Sequence, residues 1–86
     1  MDKLAGTIVD VRTAAEFSKG HVEGAINIPL DQVPQRLQEF KEMQTPIVAY
    51  CRSGNRSGMA VSLLKQNGIN DVSNGGGLDK MLQKLK

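Results

Sequence analysis

The sequence is poor in the residues that cross-link or enlarge a small protein. Its 86 residues include one cysteine, one tyrosine, two phenylalanines and no tryptophan. A single cysteine excludes an intramolecular disulfide, and it lacks the companion cysteines of a cysteine-based metal site. Because 40% of the residues are hydrophobic and 23% are charged, the composition also excludes collagen-like and disordered chains. We therefore expect a globular protein with one small core and no metal.

An excess of either charge is also missing. Eleven Lys and Arg against nine Asp and Glu leave a formal net charge of +2, which predicts no nucleic-acid partner. No apolar run approaches the ~20 residues that cross a bilayer, and residues 1–11 lack the pattern of a signal peptide. We therefore expect no membrane partner and a cytoplasmic protein, with a trimmed mature periplasmic form as the alternative.

The length and the order of the apolar segments predict one α/β domain spanning residues 1–86. Short apolar segments alternate with segments of helical periodicity, which is typical of a mainly parallel sheet flanked by helices. The third segment is apolar throughout, so we expect it in the centre of the sheet, covered on both faces. The four predicted strands cover residues 7–11, 25–28, 47–50 and 69–73.

Helix signals lie between and after these strands. Thr13 and Glu16 have the spacing of a capping box, which predicts a short first helix. The run Gly75–Gly77 is predicted to be a loop. The spacing of apolar residues predicts the core-facing positions of three further helices: Val33, Leu37 and Phe40; Met59, Ala60, Leu63 and Leu64; Leu78, Met81, Leu82 and Leu85.

The most informative segment is Cys51–Ser57, because it joins the end of the predicted central strand to a helix. Ligands of open α/β sheets bind at such junctions. The segment has no proline, so every residue can offer a backbone N–H, and Gly54 and Asn55 can adopt the left-handed conformations that curl these donors around an anion. A thiol in such a nest should have a lowered pKa, favoured further by the helix N-terminus and by Arg52 and Arg56.

These residues make Cys51 a candidate nucleophile. The alternative is a small buried hydrophobe, but the polar neighbours Arg52, Ser53, Asn55 and Ser57 favour reactivity. Arg56 is predicted to hold an oxyanion through its planar guanidinium, whereas Arg52 has the alternative of a solvated loop face. The candidate substrate-binding residues are Arg52, Ser53, Gly54, Asn55, Arg56 and Ser57.

Three motifs in this order resemble the rhodanese-like domain family. Asp10-Val11-Arg12 with Glu16-Phe17 is similar to its D-V-R-x-x-x-E-[FY] segment, Gly20–Pro29 to its G-H-I-x-G-A-x-N-[IL]-P signature, and Cys51–Arg56 to its active-site loop. The resemblance extends over about residues 7 to 80. It implies a small three-layer domain in a minimal form, with a central sheet of about four strands.

The resemblance implies a sulfurtransferase whose cysteine cycles through a persulfide. Cys51 would take a sulfane sulfur from thiosulfate or a similar donor, and cyanide or a thiol, including one on a thioredoxin-like protein, would remove it. No metal or organic cofactor is required. Asp10, Arg12 and His21 would act as supporting residues: we expect Asp10 to accept hydrogen bonds from the active-site turn, Arg12 to pair with Glu16, and His21 to be hydrogen-bonded rather than a general base.

Two alternatives belong to other functional classes. Cysteine-dependent phosphatases and arsenate reductases resemble C-x5-R, but here Arg56 comes one residue early and Ser57 occupies the arginine position. A shorter loop suits one sulfur better than a tetrahedral phosphoryl group. The second alternative is a non-catalytic rhodanese module that binds proteins or carries sulfur.

Overall fold

The computed structural model describes residues 6–84 and contains a four-stranded sheet with helices on both faces. The strands are β1 (Thr7–Asp10), β2 (Ile26–Asn27), β3 (Ile47–Cys51) and β4 (Val72–Gly77), in the order β2-β1-β3-β4. All three neighbouring pairs are parallel. The predicted α/β class and the central position of the third strand are therefore confirmed.

The helices connect the strands and follow the last one. They are α1 (Ala14–Ser18), a 3₁₀ helix (Leu30–Arg36), α2 (Leu37–Glu42), α3 (Asn55–Gln66) and α4 (Leu78–Lys84). Pro34 lies inside the 3₁₀ helix, which explains why the predicted single helix is divided in two. None of the helices within residues 6–84 combines the length and apolar character that crossing a bilayer requires.

Two clusters of buried side chains cover the two faces of the sheet, as alternation along the strands requires. The first cluster includes Val9, Ile47 and Cys51 of the strands, Phe40 of α2, and Ala60 and Leu64 of α3. The second joins Tyr50 to Val22 and Met81, with Ile8, Val48 and Leu78 packed against them. The three-layer arrangement is therefore confirmed, and Cys51 faces the layer that contains α3.

The predicted start of α1 is confirmed in detail. The Thr13 hydroxyl oxygen accepts a hydrogen bond from the Glu16 amide at 3.2 Å. In return, Glu16 Oε1 accepts one from the Thr13 amide at 3.0 Å. This reciprocal capping box fixes the position of the Glu16 carboxylate near the end of β1.

The prediction that Gly75–Gly77 forms a loop is wrong, because these residues end β4. A bulge lies opposite Ala49 and Tyr50, where β3 pairs first with Asn74 and then with Gly76. A Cβ atom at Gly75 would meet the side chain of Met81 and lie 2.8 Å from Val48 Cγ1, so a larger residue would have to displace these two side chains. The glycines thus serve close packing rather than flexibility.

Two further expectations concern the apolar helix faces. Met59 is 62% exposed, so its predicted core position is wrong: Ala60 and Leu64 face the core and Met59 points away. Leu82 is also exposed, whereas Met81 is buried, as predicted. Leu85 lies outside the described residues.

We expect Gly77→Ala to lower the free energy of unfolding by about 1–3 kcal/mol, the usual cost of overpacking. The added Cβ would meet the backbone carbonyl of Arg52, its carbon at 3.1 Å. Urea unfolding measures the change. The matched control is Ser73→Ala, at an exposed position of the same strand, which should stay within about 0.5 kcal/mol of the parent. Equal stability of Gly77→Ala and the parent would contradict the close packing of β4 on the loop.

Candidate active site

The loop after β3 turns sharply at Gly54. Gly54 has φ 102°, in the left-handed region that favours glycine, and it is the residue before the first turn of α3. This turn brings the Gly54 amide to 3.0 Å from Cys51 Sγ. The left-handed conformation predicted for Asn55 is wrong, because Asn55 lies within α3. Within residues 6–84, positive φ angles occur at glycines alone.

The backbone donors of the loop converge on the sulfur atom. Cys51 Sγ accepts hydrogen bonds from the amides of Gly54, at 3.0 Å, and Ser57, at 3.4 Å. The Ser57 hydroxyl oxygen also lies 3.4 Å from Sγ. Cys51 and Ser57 are both buried. The predicted nest of N–H groups is therefore present, and the sulfur of Cys51 occupies it.

These contacts decide the acidity of the thiol. Burial raises the pKa of Cys51, but the hydrogen bonds that the thiolate form accepts from the Ser57 hydroxyl and from the amides of Ser57, Gly54 and Ser53 outweigh it and lower the pKa to about 7. These contacts agree with the predicted lowering, although its main source is hydrogen bonding to sulfur and not the arginines. A cysteine with this pKa is about half ionised near neutral pH.

The guanidinium of Arg56, which the sequence analysis predicts to hold an oxyanion, is paired with a carboxylate of α1. Its Nη1 and Nη2 atoms donate to Glu16 Oε1 and Oε2 at 2.8 and 3.1 Å. This bond is the main reason why the pKa of Glu16 falls to about 2. Glu16 is also the main cause of the raised pKa of Arg56, with the charge of Cys51 adding to it. Glu16 thus holds a positive charge near the sulfur.

The expected pairing of Arg12 with Glu16 is wrong, because Arg12 binds Asp10. Arg12 Nη2 lies 2.7 Å from Asp10 Oδ2, and the Arg12 amide donates to Asp10 Oδ1 at 2.9 Å. Both residues are buried, and Arg12 Nη2 also donates to the Gly20 carbonyl at 2.7 Å. Asp10 therefore fixes the chain that follows β1. The expected hydrogen bonds from the active-site turn to the Asp10 carboxylate are absent among residues 6–84, so that prediction is wrong.

The remaining predicted residues lie at the surface. His21 Nδ1 lies 2.8 Å from the Phe17 carbonyl oxygen, and its ring stacks on the Phe17 ring with centroids 3.6 Å apart. His21 is therefore hydrogen-bonded, as predicted. Arg52, Ser53 and Asn55 have exposed side chains, which places Arg52 on the solvated face that the sequence analysis gave as its alternative.

Asn74 is a site residue that the sequence analysis missed. Its Oδ1 atom accepts hydrogen bonds from the Ser57 hydroxyl at 2.6 Å and from the Gly76 amide at 2.9 Å. Its Nδ2 atom donates to the Gly54 carbonyl at 3.0 Å. A polar residue near the carboxyl end of a strand is the signal, since these ends meet at one edge of a parallel sheet. The predicted fourth strand stopped at Ser73, just short of it.

Comparison with known proteins agrees with this architecture. The family model described as "Rhodanese-like domain" matches residues 1–84. The chain belongs to this family. The resemblance inferred from the three sequence motifs is thereby confirmed.

Three relatives show how far the likeness extends. The uncharacterized protein YqhL of Bacillus subtilis is 41% identical over 92% of this chain, which spans 63% of YqhL. Thiosulfate sulfurtransferase PspE of Escherichia coli is 38% identical over 91% of this chain and 77% of its own length. A solved structure of rhodanese with anions from E. coli is 36% identical with a TM-score of 0.78, covering 86% of this chain and 88% of that one. The rhodanese-like fold and a general link to sulfur transfer follow.

A cavity of about 310 Å³ lies beside Arg56 in this rhodanese-like chain. Residues that follow β1 and β2 line it together with one residue of α3: Val11, Thr13, Pro29, Leu30, Asp31 and Arg56. Cys51 is not one of the described residues that line this cavity. Cys51 therefore does not border this cavity, whereas Arg56 does.

We expect the ultraviolet absorbance of the Cys51 thiolate to rise with pH, with a midpoint at about pH 7. The thiol form prevails below the midpoint and the thiolate above it. Burial raises the pKa of Tyr50 to about 12, so tyrosinate absorbance appears at much higher pH. Cys51→Ser is the control and should lack the transition. A midpoint near the ordinary value of 9.0 would show that the amides do not stabilise the thiolate.

Proposed function

We propose that this protein is a sulfurtransferase that carries sulfane sulfur as a persulfide on Cys51. The observation that supports it most is the convergence of the Gly54 and Ser57 amides on Sγ, which stabilises a thiolate. A thiolate is the form of cysteine that attacks sulfur. Membership of the rhodanese-like family supports sulfur transfer in general.

In the first step, the Cys51 thiolate attacks the outer sulfur of thiosulfate. A new sulfur–sulfur bond forms to Sγ, the sulfur–sulfur bond of thiosulfate breaks, and sulfite leaves with the electron pair of that bond. The negative charge then resides on the outer sulfur of the persulfide. Donors with the same sulfane sulfur bonded to a good leaving group react in the same way.

In the second step, a nucleophile attacks the outer sulfur of the persulfide. The bond to Sγ breaks, and its electron pair returns to Sγ as the thiolate. Cyanide leaves as thiocyanate, and a thiol, including one on a thioredoxin-like protein, becomes a persulfide itself. Because the Gly54 and Ser57 amides already bind Sγ, they stabilise the returning charge without rearrangement.

The arginines set the electrostatics of donor binding. Arg56 uses one N–H on each terminal nitrogen for Glu16, which leaves its Nε–H and the two other terminal N–H groups for an anion. Glu16 offsets part of its charge, so Arg56 orients a donor more than it attracts one. Arg52 is exposed and adds positive charge at the loop surface.

We expect reduced protein mixed with thiosulfate to gain one sulfur atom by mass spectrometry, and cyanide to remove that sulfur as thiocyanate. Cys51→Ser should abolish both steps, since Cys51 is the single cysteine of the chain. No sulfur uptake by the parent protein would contradict the proposal and favour a non-catalytic binding module. Hydrolysis of an aryl phosphate without sulfur uptake would instead favour a phosphatase.

We expect Arg56→Ala to lower kcat/KM for thiosulfate by about 10- to 100-fold, or ~1.4–2.7 kcal/mol of transition-state stabilisation. The reason is the loss of hydrogen-bond donors that face the departing sulfite. Arg36→Ala is the matched control, because it removes a similar arginine that is paired with Glu39 on another surface. A rate equal to that of the control would remove Arg56 from the site.

A further inference from the structure

The orientation of the Asn74 amide is fixed by two backbone groups. The Gly76 N–H can only donate, so the atom that it meets at 2.9 Å must be the carbonyl oxygen Oδ1. The Gly54 carbonyl can only accept, so the atom at 3.0 Å from it must be the amide nitrogen Nδ2. These two contacts assign the oxygen and the nitrogen of Asn74 independently of each other.

This orientation decides what the Ser57 hydroxyl does. Its oxygen lies 2.6 Å from Asn74 Oδ1, which carries no hydrogen, so the hydroxyl donates its one proton to Asn74. Towards Cys51 Sγ, 3.4 Å away, the same oxygen is left with lone pairs alone. In this arrangement Ser57 Oγ suits a neutral S–H group and opposes a thiolate.

We propose that Asn74 is a positioning residue that competes with the sulfur of Cys51 for the single hydroxyl proton of Ser57. In the resting thiol form the hydroxyl points to Asn74. When Cys51 loses its proton to solvent, the hydroxyl turns about its Cβ–Oγ bond and donates to the thiolate. No bond to a heavy atom breaks in this exchange.

The surroundings of Asn74 make this rotation inexpensive. After the rotation no proton lies between Ser57 Oγ and Asn74 Oδ1, so the two oxygens repel each other at their present distance of 2.6 Å. Because Asn74 is exposed, its amide can shift away from Ser57 and Oδ1 can accept a hydrogen bond from water, with the Gly76 amide as its second donor. Ser57 is fully buried, so its hydroxyl has no such access to water. The hydroxyl therefore alternates between two defined acceptors, Asn74 and Cys51.

The proposal rests on the proposed function and assigns the rotation a place in its cycle. Once sulfur is loaded, the negative charge lies on the outer sulfur of the persulfide, and Sγ is neutral. The Ser57 hydroxyl then returns to Asn74. When the acceptor removes the outer sulfur, the charge returns to Sγ and the hydroxyl turns back. Asn74 thus holds the hydroxyl in each state in which Sγ carries no charge.

The charged groups around the loop stay constant in the variants that test this proposal. Arg56 of α3 is bound to Glu16 of α1. Arg12 is bound to Asp10 at the end of β1. Further charges are those of the exposed Arg52 in the loop and of Lys80 on α4, whose side chain lies beside Gly76.

The experiment measures the thiolate midpoint in Asn74→Leu, Ser57→Ala and the double variant. Asn74→Leu frees the hydroxyl for the sulfur, so we expect a midpoint lower by about half to one pH unit, the scale of one neutral hydrogen bond. Ser57→Ala should raise the midpoint. In the Ser57→Ala background, Asn74→Leu should cause no further shift, because the hydroxyl through which it acts is gone.

Two outcomes would overturn the proposal. A raised midpoint in Asn74→Leu would mean that Asn74 only supports the loop through Gly54. If Asn74→Leu shifts the thiolate midpoint equally in the parent and in the Ser57→Ala background, Asn74 does not act through the Ser57 hydroxyl. Asn67→Leu is the matched control, because it removes an exposed amide that donates to the Leu63 carbonyl at the end of α3. The thiolate midpoint of this variant should equal that of the parent.

The measurement is separate from the test of the function. The midpoint needs no sulfur donor, so a protein that never forms a persulfide would refute the sulfurtransferase function and leave the shifts measurable. Urea unfolding checks that each variant is folded. If Asn74→Leu does not fold, Asn74→Ala removes the same acceptor from the same exposed position and carries the same expectations.

Discussion

The arrangement of the site depends on the left-handed turn at Gly54. This turn folds the chain back so that the Gly54 amide meets the sulfur of the residue three positions earlier, and it places the Ser57 amide on the same atom. Without these donors, burial would keep the thiol neutral. The conformation of one backbone residue therefore determines whether a buried sulfur can bear charge.

The sheet holds this turn from the other side. β4 runs beside β3 and brings Gly77 against the Arg52 carbonyl, while Asn74 binds Gly54 and Ser57. The loop is thus fixed at both ends and at its middle by a strand that follows it by about 20 residues. This explains why a strand end with three glycines, which contributes few side chains, matters to the site.

The sequence predicts the parts of the structure that depend on local patterns. The Thr13–Glu16 capping box, the apolar third strand and the cysteine at its end are correct because each depends on residues within a few positions. The partner of Arg56 could not be found in this way, since Glu16 lies 40 residues away and also suits a pair with Arg12. The close packing at Gly75 involves the side chains of Val48 and Met81, which only the folded structure brings together.

The carboxylate of Glu16 belongs to two structures at once. It closes the first turn of α1 through the Thr13 amide, and it neutralises Arg56 in the loop after β3. Inserting one residue between Thr13 and Glu16 would rotate the Glu16 side chain by about 100° around the axis of α1. The Arg56 guanidinium would then lose its counter-ion. A protein engineer who transplants the cysteine loop to another scaffold must therefore move the beginning of this short helix with it.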